Sequence, residues 1–304
     1  MDGRATGLTA LVLGAAAGGG FPQWNCGCRL CCLTRAGDPR ARPATQASVA
    51  VTGNGADWIV VGASPDLRQQ ILQSPQLWPR GGLRDSPISA VALLGGDVDA
   101  LAGLLVLRER QAFTVFAPQP MLDFLEQNRI FDVLDGRIVP REALLPLEPV
   151  RAPGGVMLTL LPMPGKVPLY METRGADAPE PGPTYAARLE ANGRSVIVAP
   201  ACADITAEVR RQLRTADLVF FDGTLFTDDE MIAAGLGPKT GRRMGHVPVS
   251  GPGGTLDGLA GLPGRRVLLH INNSNPILLS DSPERRQVEA AGFEVAYDGM
   301  EVQL

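Results

Sequence analysis

Histidine is scarce in this chain, which has only two among its 304 residues. A dinuclear metal centre built mainly from imidazoles is therefore excluded, because an ordinary catalytic zinc site already uses three protein ligands, most often histidines. Metal-dependent hydrolysis needs ions held so that they generate hydroxide from water. We therefore expect no hydrolase of that type.

A strong net charge and long apolar runs are also missing. The formal charge is −4, from 28 basic and 32 acidic residues, so no global field attracts nucleic acid. No apolar run approaches the length of a membrane span. Residues 8–13 are apolar but lead directly into a glycine-rich loop, which favours a first strand over a signal peptide. We expect a cytoplasmic protein with neither nucleic acid nor a membrane span.

Cysteine is concentrated in one place, with four of the five residues lying between positions 26 and 32. Cys26, Cys28 and Cys31 form a C-x-C-x-x-C pattern that lets three thiolates converge on one soft ion, and zinc is the expected metal. Disulfides between such close neighbours are geometrically awkward. The interpretation is a structural zinc site in a reducing compartment. Its fourth ligand is left open between Cys32, His246 and a residue of the segment 272–275.

Short apolar runs bounded by Gly, Pro and Asp predict a mixed α/β fold. Predicted strands cover residues 8–13, 48–51, 58–62, 88–94, 113–117, 156–161, 195–198, 218–221, 267–270 and 294–297. Predicted helices cover 100–110, 120–129, 205–214, 228–234 and 283–291. The stretch 174–183 is rich in Pro, Gly and acidic residues and is predicted to be a loop. Two sheets flanked by helices suit this pattern.

Six long motifs resemble the signatures of one family. They are GGGFPQWNC (18–26), ASPDLR (63–68), PGKVPL (164–169), FDGT (221–224), TGRRMGH (240–246) and HINNSNP (270–276). Together they resemble the PqqB family, which acts in the biosynthesis of the redox cofactor pyrroloquinoline quinone (PQQ), and the resemblance covers nearly the whole chain. It implies a metallo-β-lactamase-like αββα sandwich of two mixed β-sheets flanked by helices. We expect a single domain over residues 1–304, with a cysteine-rich zinc loop at 18–35.

The same resemblance adds detail to the zinc site. Related phosphodiesterases of this fold use three cysteines and one residue shortly after the last metal histidine of the fold. That position holds Asn273 here, which is a poor zinc ligand. Asn273 therefore joins His246 and Cys32 as a candidate for the fourth position.

The main departure from the family lies at residue 100. PqqB sequences resemble a version of the fold's metal motif that has fewer histidines and ends D-x-D-H-x-x-G-L. Asp97 and Asp99 are retained here, but Ala100 replaces the histidine and has no lone pair to donate. Without the resemblance, the two aspartates would suit equally well a solvated helix start, where carboxylates are favoured.

Two further residues match metal ligands of the fold. Asp222 ends an apolar run, and His270 ends the next predicted strand. By themselves they would be a turn aspartate and a structural strand-end histidine. The resemblance instead makes Asp97, Asp99, Asp222 and His270 the catalytic candidates, with iron held by Asp99, Asp222 and His270. Cys202 lies near the position of another metal histidine of the fold and is interpreted as a buried small residue.

A ligand-binding surface is expected from the basic loop and the neighbouring motifs. Arginine can bind carboxylates through two parallel hydrogen bonds, which suits PQQ and its acidic precursors. The glycine loop does not have the spacing of a dinucleotide motif, and glycine there more plausibly allows close backbone approach. The candidates are Gly19, Gly20, Gln23, Lys239, Arg242, Arg243, His246, Asn272 and Ser274.

Two functions from different classes follow from the resemblance. In the first, the protein is an Fe(II)- and O2-dependent hydroxylase that acts on the tyrosine of a peptide-derived Glu–Tyr precursor and works with other PQQ biosynthesis proteins. In the second, it is a non-catalytic carrier of PQQ or its precursor that aids transport. Ala100 favours the carrier, whereas the retained carboxylates and His270 favour the enzyme. A homodimer is compatible with either function.

Overall fold

Two seven-stranded sheets form the centre of the computed structural model, which describes residues 7–168, 182 and 184–304. The strands are β1 (Thr9–Gly14), β2 (Ser48–Thr52), β3 (Trp58–Val61), β4 (Ile88–Ala92), β5 (Thr114–Pro118), β6 (Arg141–Leu144), β7 (Val150–Arg151), β8 (Met157–Met163), β9 (Thr184–Ala191), β10 (Arg194–Ala199), β11 (Leu218–Asp222), β12 (Arg265–Leu269), β13 (Glu294–Val295) and β14 (Glu301–Gln303).

Helices connect the strands and cover the outer faces of the sheets. They are α1 (Arg29–Arg35), α2 (Leu67–Gln73), α3 (Val98–Leu101), α4 (Gln119–Gln127), α5 (Ala207–Leu213), α6 (Glu230–Ala233), α7 (Gly241–Met244), α8 (Thr255–Gly258) and α9 (Pro283–Ala290). Among the described residues no helix is both long enough and apolar enough to cross a bilayer.

Each sheet is antiparallel in one half and parallel in the other. The first sheet has the order β14-β1-β2-β3-β4-β5-β6, and its strands from β3 to β6 are parallel. The second has the order β13-β12-β11-β10-β9-β8-β7, and its strands from β10 to β13 are parallel. Parallel neighbours need crossover connections, which explains why every helix except α1, between the antiparallel β1 and β2, connects strands of these halves. The predicted αββα sandwich of two mixed sheets is confirmed.

The main core lies between the sheets. Val12 and Phe116 of the first sheet and Leu189 and Phe220 of the second belong to this interior, and all four are almost fully buried. Separate apolar layers lie between each sheet and its own helices. Because strands are buried on both faces, they appear in the sequence as continuous apolar runs rather than alternating ones.

The ten predicted strands are all present, with ends shifted by at most a few residues. The helix predicted over 100–110 is shorter: α3 ends at Leu101 and a 3-10 segment continues over Ala102–Leu107. Gly103 explains this, because its amide donates to Ala63 O and a Cβ there would lie 2.0 Å from Ser64 O. Strands β6, β7, β9 and β14 were not predicted. The predicted loop 174–183 lies outside the described residues, apart from Gly182.

A buried carboxylate fixes the exit of β1 toward the glycine loop. Asp298 Oδ1 accepts from Ala15 N at 3.0 Å, and Oδ2 accepts from Thr45 N at 2.7 Å and Thr45 Oγ1 at 2.8 Å. Burial raises the pKa of Asp298 to about 6, against the hydrogen bonds that favour its charged form. The three contacts join segments that are far apart in the sequence.

The raised pKa of Asp298 predicts a pH-dependent stability. Its folded state holds a proton more tightly than the unfolded chain, so its contribution is complete below the ordinary value of 3.8 and is lost as the pH rises through about 6. Between about pH 4 and pH 7 the free energy of unfolding should fall by up to about 3 kcal/mol more in wild type than in Asp298→Asn. Urea unfolding across this pH range measures the difference, and parallel profiles would contradict the assignment.

Candidate functional site

The parallel strands deliver polar side chains to one rim of the sandwich. Asp222 is the last residue of β11, His270 follows β12, and Asp97 and Asp99 lie at the start of α3, which follows β4. The carboxyl ends of neighbouring parallel strands lie at the same edge of a sheet, which is where open α/β sheets bind ligands. His246 reaches the same rim from the turn after α7.

Asp222 is the most constrained of these residues. Its side chain is fully buried, and four donors converge on its two oxygens. Oδ1 accepts from Thr224 N at 3.0 Å and Thr224 Oγ1 at 2.7 Å, while Oδ2 accepts from Cys202 N at 3.0 Å and faces His246 Nδ1 at 2.8 Å. An ionised carboxylate has about four lone-pair sites, so this one is satisfied within the protein.

The hydroxyl of Thr224 lies between the carboxylate and both histidines. Oγ1 is 3.1 Å from His246 Nδ1 and 2.9 Å from His270 Nδ1. A hydroxyl has a single proton, and Asp222 can only accept, so the proton of Thr224 belongs to Asp222. In this hydrogen-bonded arrangement both imidazoles present Nδ1–H to the centre, so a metal held there by Asp222 and the two rings would take the place of these protons.

His270 also faces a second carboxylate. Its Nε2 lies 3.1 Å from Asp99 Oδ2. Burial disfavours the charged form of both residues, but the hydrogen bond between them favours it more strongly. The pKa of His270 is therefore raised, and the pKa of Asp99 is lowered. His270 has a φ of 59°, a left-handed conformation that is rare outside glycine.

A cavity of about 480 Å³ opens beside these residues. Asp97, Asp99, His246 and His270 line it, as does Ala100, whose methyl group offers no ligand. Partial enclosure, and then the charge of Asp99, raise the pKa of Asp97. Asp97 occupies the N-cap position of α3 but makes no side-chain capping bond, so it is available to the cavity. The volume lies in the range of small-molecule sites.

The predicted ligand-binding residues divide between this cavity and its surroundings. Lys239 and His246 line it, together with Gly18 rather than Gly19 or Gly20. The lining that the structure describes does not include Gln23, Arg242, Arg243, Asn272 or Ser274. Gln23 bonds Asn25 Oδ1, and Arg242 lies 4.0 Å from Asp204. Asn272 and Ser274 bond each other, and Ser274 bonds Glu230.

Three of the rim residues have the arrangement of a metal-binding group. The ligand atoms of Asp222, His246 and His270 lie within 4.8 Å of one another, and Asp99 lies against the far nitrogen of His270. Imidazole nitrogen and carboxylate oxygen are donors that suit iron, and two histidines with one carboxylate form the set used by non-haem Fe(II) oxygenases. The donor set therefore fits iron. His246 was not predicted to belong to it.

The cysteine cluster lies apart from this set. Cys26, Cys28 and Cys31 bring their sulfurs within 4.8 Å of one another. Cys28 is the N-cap of α1 and Cys31 lies within that helix, so the two are three residues apart and project from the same face. Three thiols at this spacing fit a soft ion such as zinc.

Asn273 takes the fourth side of the cysteine cluster. Its Nδ2 lies 3.2 Å from Cys26 Sγ, 3.4 Å from Cys31 Sγ and 3.8 Å from Cys28 Sγ. Cys32 is exposed and its thiol contacts Gly27 O, while His246 lies with Asp222. The geometry therefore places only Asn273, of the three candidates, against all three sulfurs.

Sequence reasoning assigned no role to Thr224 or Lys166. Thr224 joins the carboxylate to both histidines, and Lys166 lines the cavity. Thr224 N and Oγ1 both donate to Asp222, two residues earlier in the sequence. A threonine two residues after a strand-end aspartate is therefore a sequence signal for this local hydrogen bond. Cys202 is buried, and its backbone amide rather than its thiol donates to Asp222.

Thr224→Val should disturb this centre without changing its shape. Removing the hydroxyl leaves Asp222 and the two imidazoles short of a partner in a buried site, so the free energy of unfolding should fall by about 1–3 kcal/mol. Thr224→Ser keeps the hydroxyl and should recover most of the loss. Urea unfolding of the two variants makes the comparison, and equal stability would rule out the hydroxyl as the important group.

Comparison with known proteins gives these features a family. Residues 57–271 match the family described as Beta-lactamase superfamily domain. "Coenzyme PQQ synthesis protein B" of Gluconacetobacter diazotrophicus is 54% identical, over 97% of this chain and 99% of that protein. The protein of the same name from Methylobacterium nodulans is 49% identical over 98% of this chain and 100% of its own length.

Solved structures agree with the sequence matches. The crystal structure of Zn(2+)-bound PqqB from Methylobacterium extorquens superposes with a TM-score of 0.94 at 47% identity, over 97% of this chain and all of that one. A diphosphatase of the PhnP family has a TM-score of 0.66 at 18% identity, over 98% of this chain and 97% of that one, and so shares the fold. With this sandwich, this rim of carboxylates and histidines, and relatives about half identical along their whole length, the chain belongs to the PqqB family of the β-lactamase superfamily.

Proposed function

We propose that this chain acts in PQQ synthesis as an Fe(II)- and O2-dependent hydroxylase of the tyrosine ring in a Glu–Tyr precursor. The observation that carries the proposal is the convergence of Asp222, His246 and His270 beside a cavity of about 480 Å³. Two histidines and one carboxylate are the protein ligands that leave open positions for oxygen and substrate on iron. Iron, when bound, would supply the activation of oxygen.

His246 supports this proposal because it supplies a second imidazole although residue 100 is alanine. Ala100 removes one imidazole from the pattern that the family resemblance implies. His246 supplies an imidazole from another loop, held by Asp222 and Thr224. The proposed iron ligands are thus His270, His246 and Asp222, with Asp99 next to His270 as a further carboxylate.

Substrate binding is proposed for the cationic part of the cavity. Lys166 and Lys239 line it together with the carboxylates and would bind the acidic groups of a Glu–Tyr unit. Thr224 contacts Nδ1 of both histidine rings and fixes their orientation, so that neither needs to reorient when substrate enters. The apolar lining, including Pro168 and Val198, would exclude water around the ring.

We propose a structural zinc ion for the cysteine cluster, held by Cys26, Cys28 and Cys31 with Asn273 beside them. The Zn(2+)-bound relative supports zinc, as does the soft donor set. The described cysteines are all free thiols, which is in keeping with a reducing cytoplasm. The single domain of residues 1–304, and contacts with other PQQ synthesis proteins, are part of the same proposal.

A second function is favoured by one specific observation. Asp222 already accepts four hydrogen bonds, so a metal there must displace a donor, which weakens its binding. A carrier that binds PQQ or its precursor in the cavity needs no such exchange. Conversion of Glu–Tyr under O2, lost on chelation and restored by Fe(II), supports the enzyme. Micromolar PQQ binding without turnover supports the carrier instead.

Ala100→His tests whether the centre is a metal site. A third imidazole at the cavity wall should raise Fe(II) affinity about tenfold or more, since losing a ligand costs more than the 10–100-fold typical of outer-shell changes. Iron content after anaerobic loading and desalting measures it. Ala56→His, in the exposed turn between β2 and β3, is the matched control. If Ala100→His binds no more iron than wild type, the proposal of an iron centre is wrong.

Cys26→Ser tests the zinc site. Loss of one thiolate should reduce bound zinc well below one per chain and lower the melting temperature by several degrees, because structural zinc contributes directly to folding. Cys32→Ser changes an exposed neighbour outside the cluster and should leave both values unchanged. Metal analysis and thermal unfolding measure the two quantities. An unchanged zinc content and melting temperature in Cys26→Ser would argue against structural zinc.

A further inference from the structure

One short segment connects the two candidate metal centres. Residues 270–275 begin at His270, on the cavity, and reach Asn273, on the cysteine cluster, only three residues later. We propose that Asn273 is a positioning residue through which zinc at the cysteines fixes His270 and Thr224, so that zinc binding strengthens metal binding at the second centre. This inference rests on the proposed iron site.

The contacts of Asn273 with the cysteine loop are both side-chain and backbone. Its amide lies within 3.8 Å of all three sulfurs, and Cys28 Sγ is 3.9 Å from its carbonyl oxygen. Asn273 is only 4% exposed, so its amide has no alternative partner in solvent. Drawing the three sulfurs onto an ion therefore fixes the position of this residue.

On the other side, the segment is bonded to the loop that carries Thr224. Asn272 N donates to Thr224 O at 3.0 Å, and Asn275 Nδ2 donates to Gly223 O at 2.9 Å and to Thr224 O at 3.3 Å. The hydroxyl of Thr224 in turn contacts Asp222 and both imidazoles. A displacement of Asn273 therefore reaches the second centre through two hydrogen-bonded neighbours.

The segment has little freedom to absorb such a displacement. Asn275 is fully buried, and Ser274 Oγ bonds Glu230, whose other oxygen accepts from Phe226 N. Ile271 pairs with the glycine loop, since its amide donates to Ala15 O and its carbonyl accepts from Ala17 N. His270 itself is held at a φ of 59°. Such a packed, bonded segment transmits a change instead of relaxing around it.

We expect positive cooperativity between the two ions. Zinc would already restrict the motion of residues 270–275, which the second ion otherwise has to restrict when it binds. Linkage then requires that each metal strengthen the binding of the other by the same factor. We expect at least a fivefold effect on the dissociation constant of the second ion, at the lower end of ordinary coupling between sites.

Mn(II) is the probe of choice for the second centre. It prefers carboxylate and imidazole donors over thiolates, so it reports on Asp222 and His270 and not on the cysteines. Mn(II) titrations followed by electron paramagnetic resonance would compare full-length zinc-loaded wild type with zinc-loaded Asn273→Ala. Mn(II) should bind at least fivefold more weakly to Asn273→Ala. Asn273→Asp places a carboxylate oxygen, which can bind zinc, where the amide Nδ2 faces the sulfurs and should restore most of the affinity.

Asn128→Ala is the matched control. Asn128 makes a single side-chain bond, to Phe124 O at the end of α4, and belongs to neither centre. Its Mn(II) affinity should equal that of wild type. Thermal unfolding verifies that each variant is folded, and metal analysis measures how much zinc it retains. Equal Mn(II) affinity in folded wild type and folded Asn273→Ala would overturn the proposal.

Hydrogen exchange distinguishes a failure of this inference from a failure of the proposed iron site. Asn273→Ala should lose amide protection in peptides covering 222–226 and 268–275, while a peptide over α4 stays unchanged. If exchange responds but Mn(II) binds nowhere in wild type, the iron site fails and the structural coupling stands. If Mn(II) binds wild type and Asn273→Ala alike and exchange does not respond, the coupling fails and the iron site stands.

Discussion

The requirement to satisfy one buried carboxylate organises this rim of the molecule. Asp222 is fully enclosed, and an unpaired charge there would be far too costly. Its four donors come from the turn after β11, from the segment after β10 and from the loop after α7. The cavity, the tautomers of the two histidines and the position of His246 all follow from the way in which this charge is paired.

The two candidate metal centres differ in ligand type. Thiolates gather at the N-terminal loop, where a soft ion would fasten that loop to the segment after β12. Nitrogen and oxygen donors gather at the strand ends, where the cavity gives access to a substrate. A short segment of chain belongs to both centres, so neither can be considered in isolation.

The centre keeps two imidazoles although residue 100 is alanine. Alanine at this position takes a donor away from the loop after β4, but the cavity and its neighbouring carboxylates remain. His246 lies 2.8 Å from Asp222 and its ring stacks on that of His270, with 5.2 Å between the centroids. With only two histidines in the chain, both lie within this one centre.

Much of the fold was predictable because buried parallel strands leave continuous apolar runs, as β4 and β11 do. Strands such as β9 were missed: Arg188 and Glu190 interrupt its apolar character, and only pairing with β8 and β10 makes it a strand. Asp222 and His270 could be singled out as strand-end residues. His246 and Thr224 could not be placed beside them, since their meeting depends on how loops distant in sequence pack together.

The sequence by itself determined most of the strands, the family and the spacing of the cysteines, because these depend on local periodicity and on the motifs themselves. Only the tertiary structure decided which candidate faces the sulfurs and which histidine pairs with Asp222. Asn273 is 247 residues from Cys26, and His246 is 24 residues from Asp222. Contacts across such separations are set by the packing of the two sheets, which no local pattern encodes.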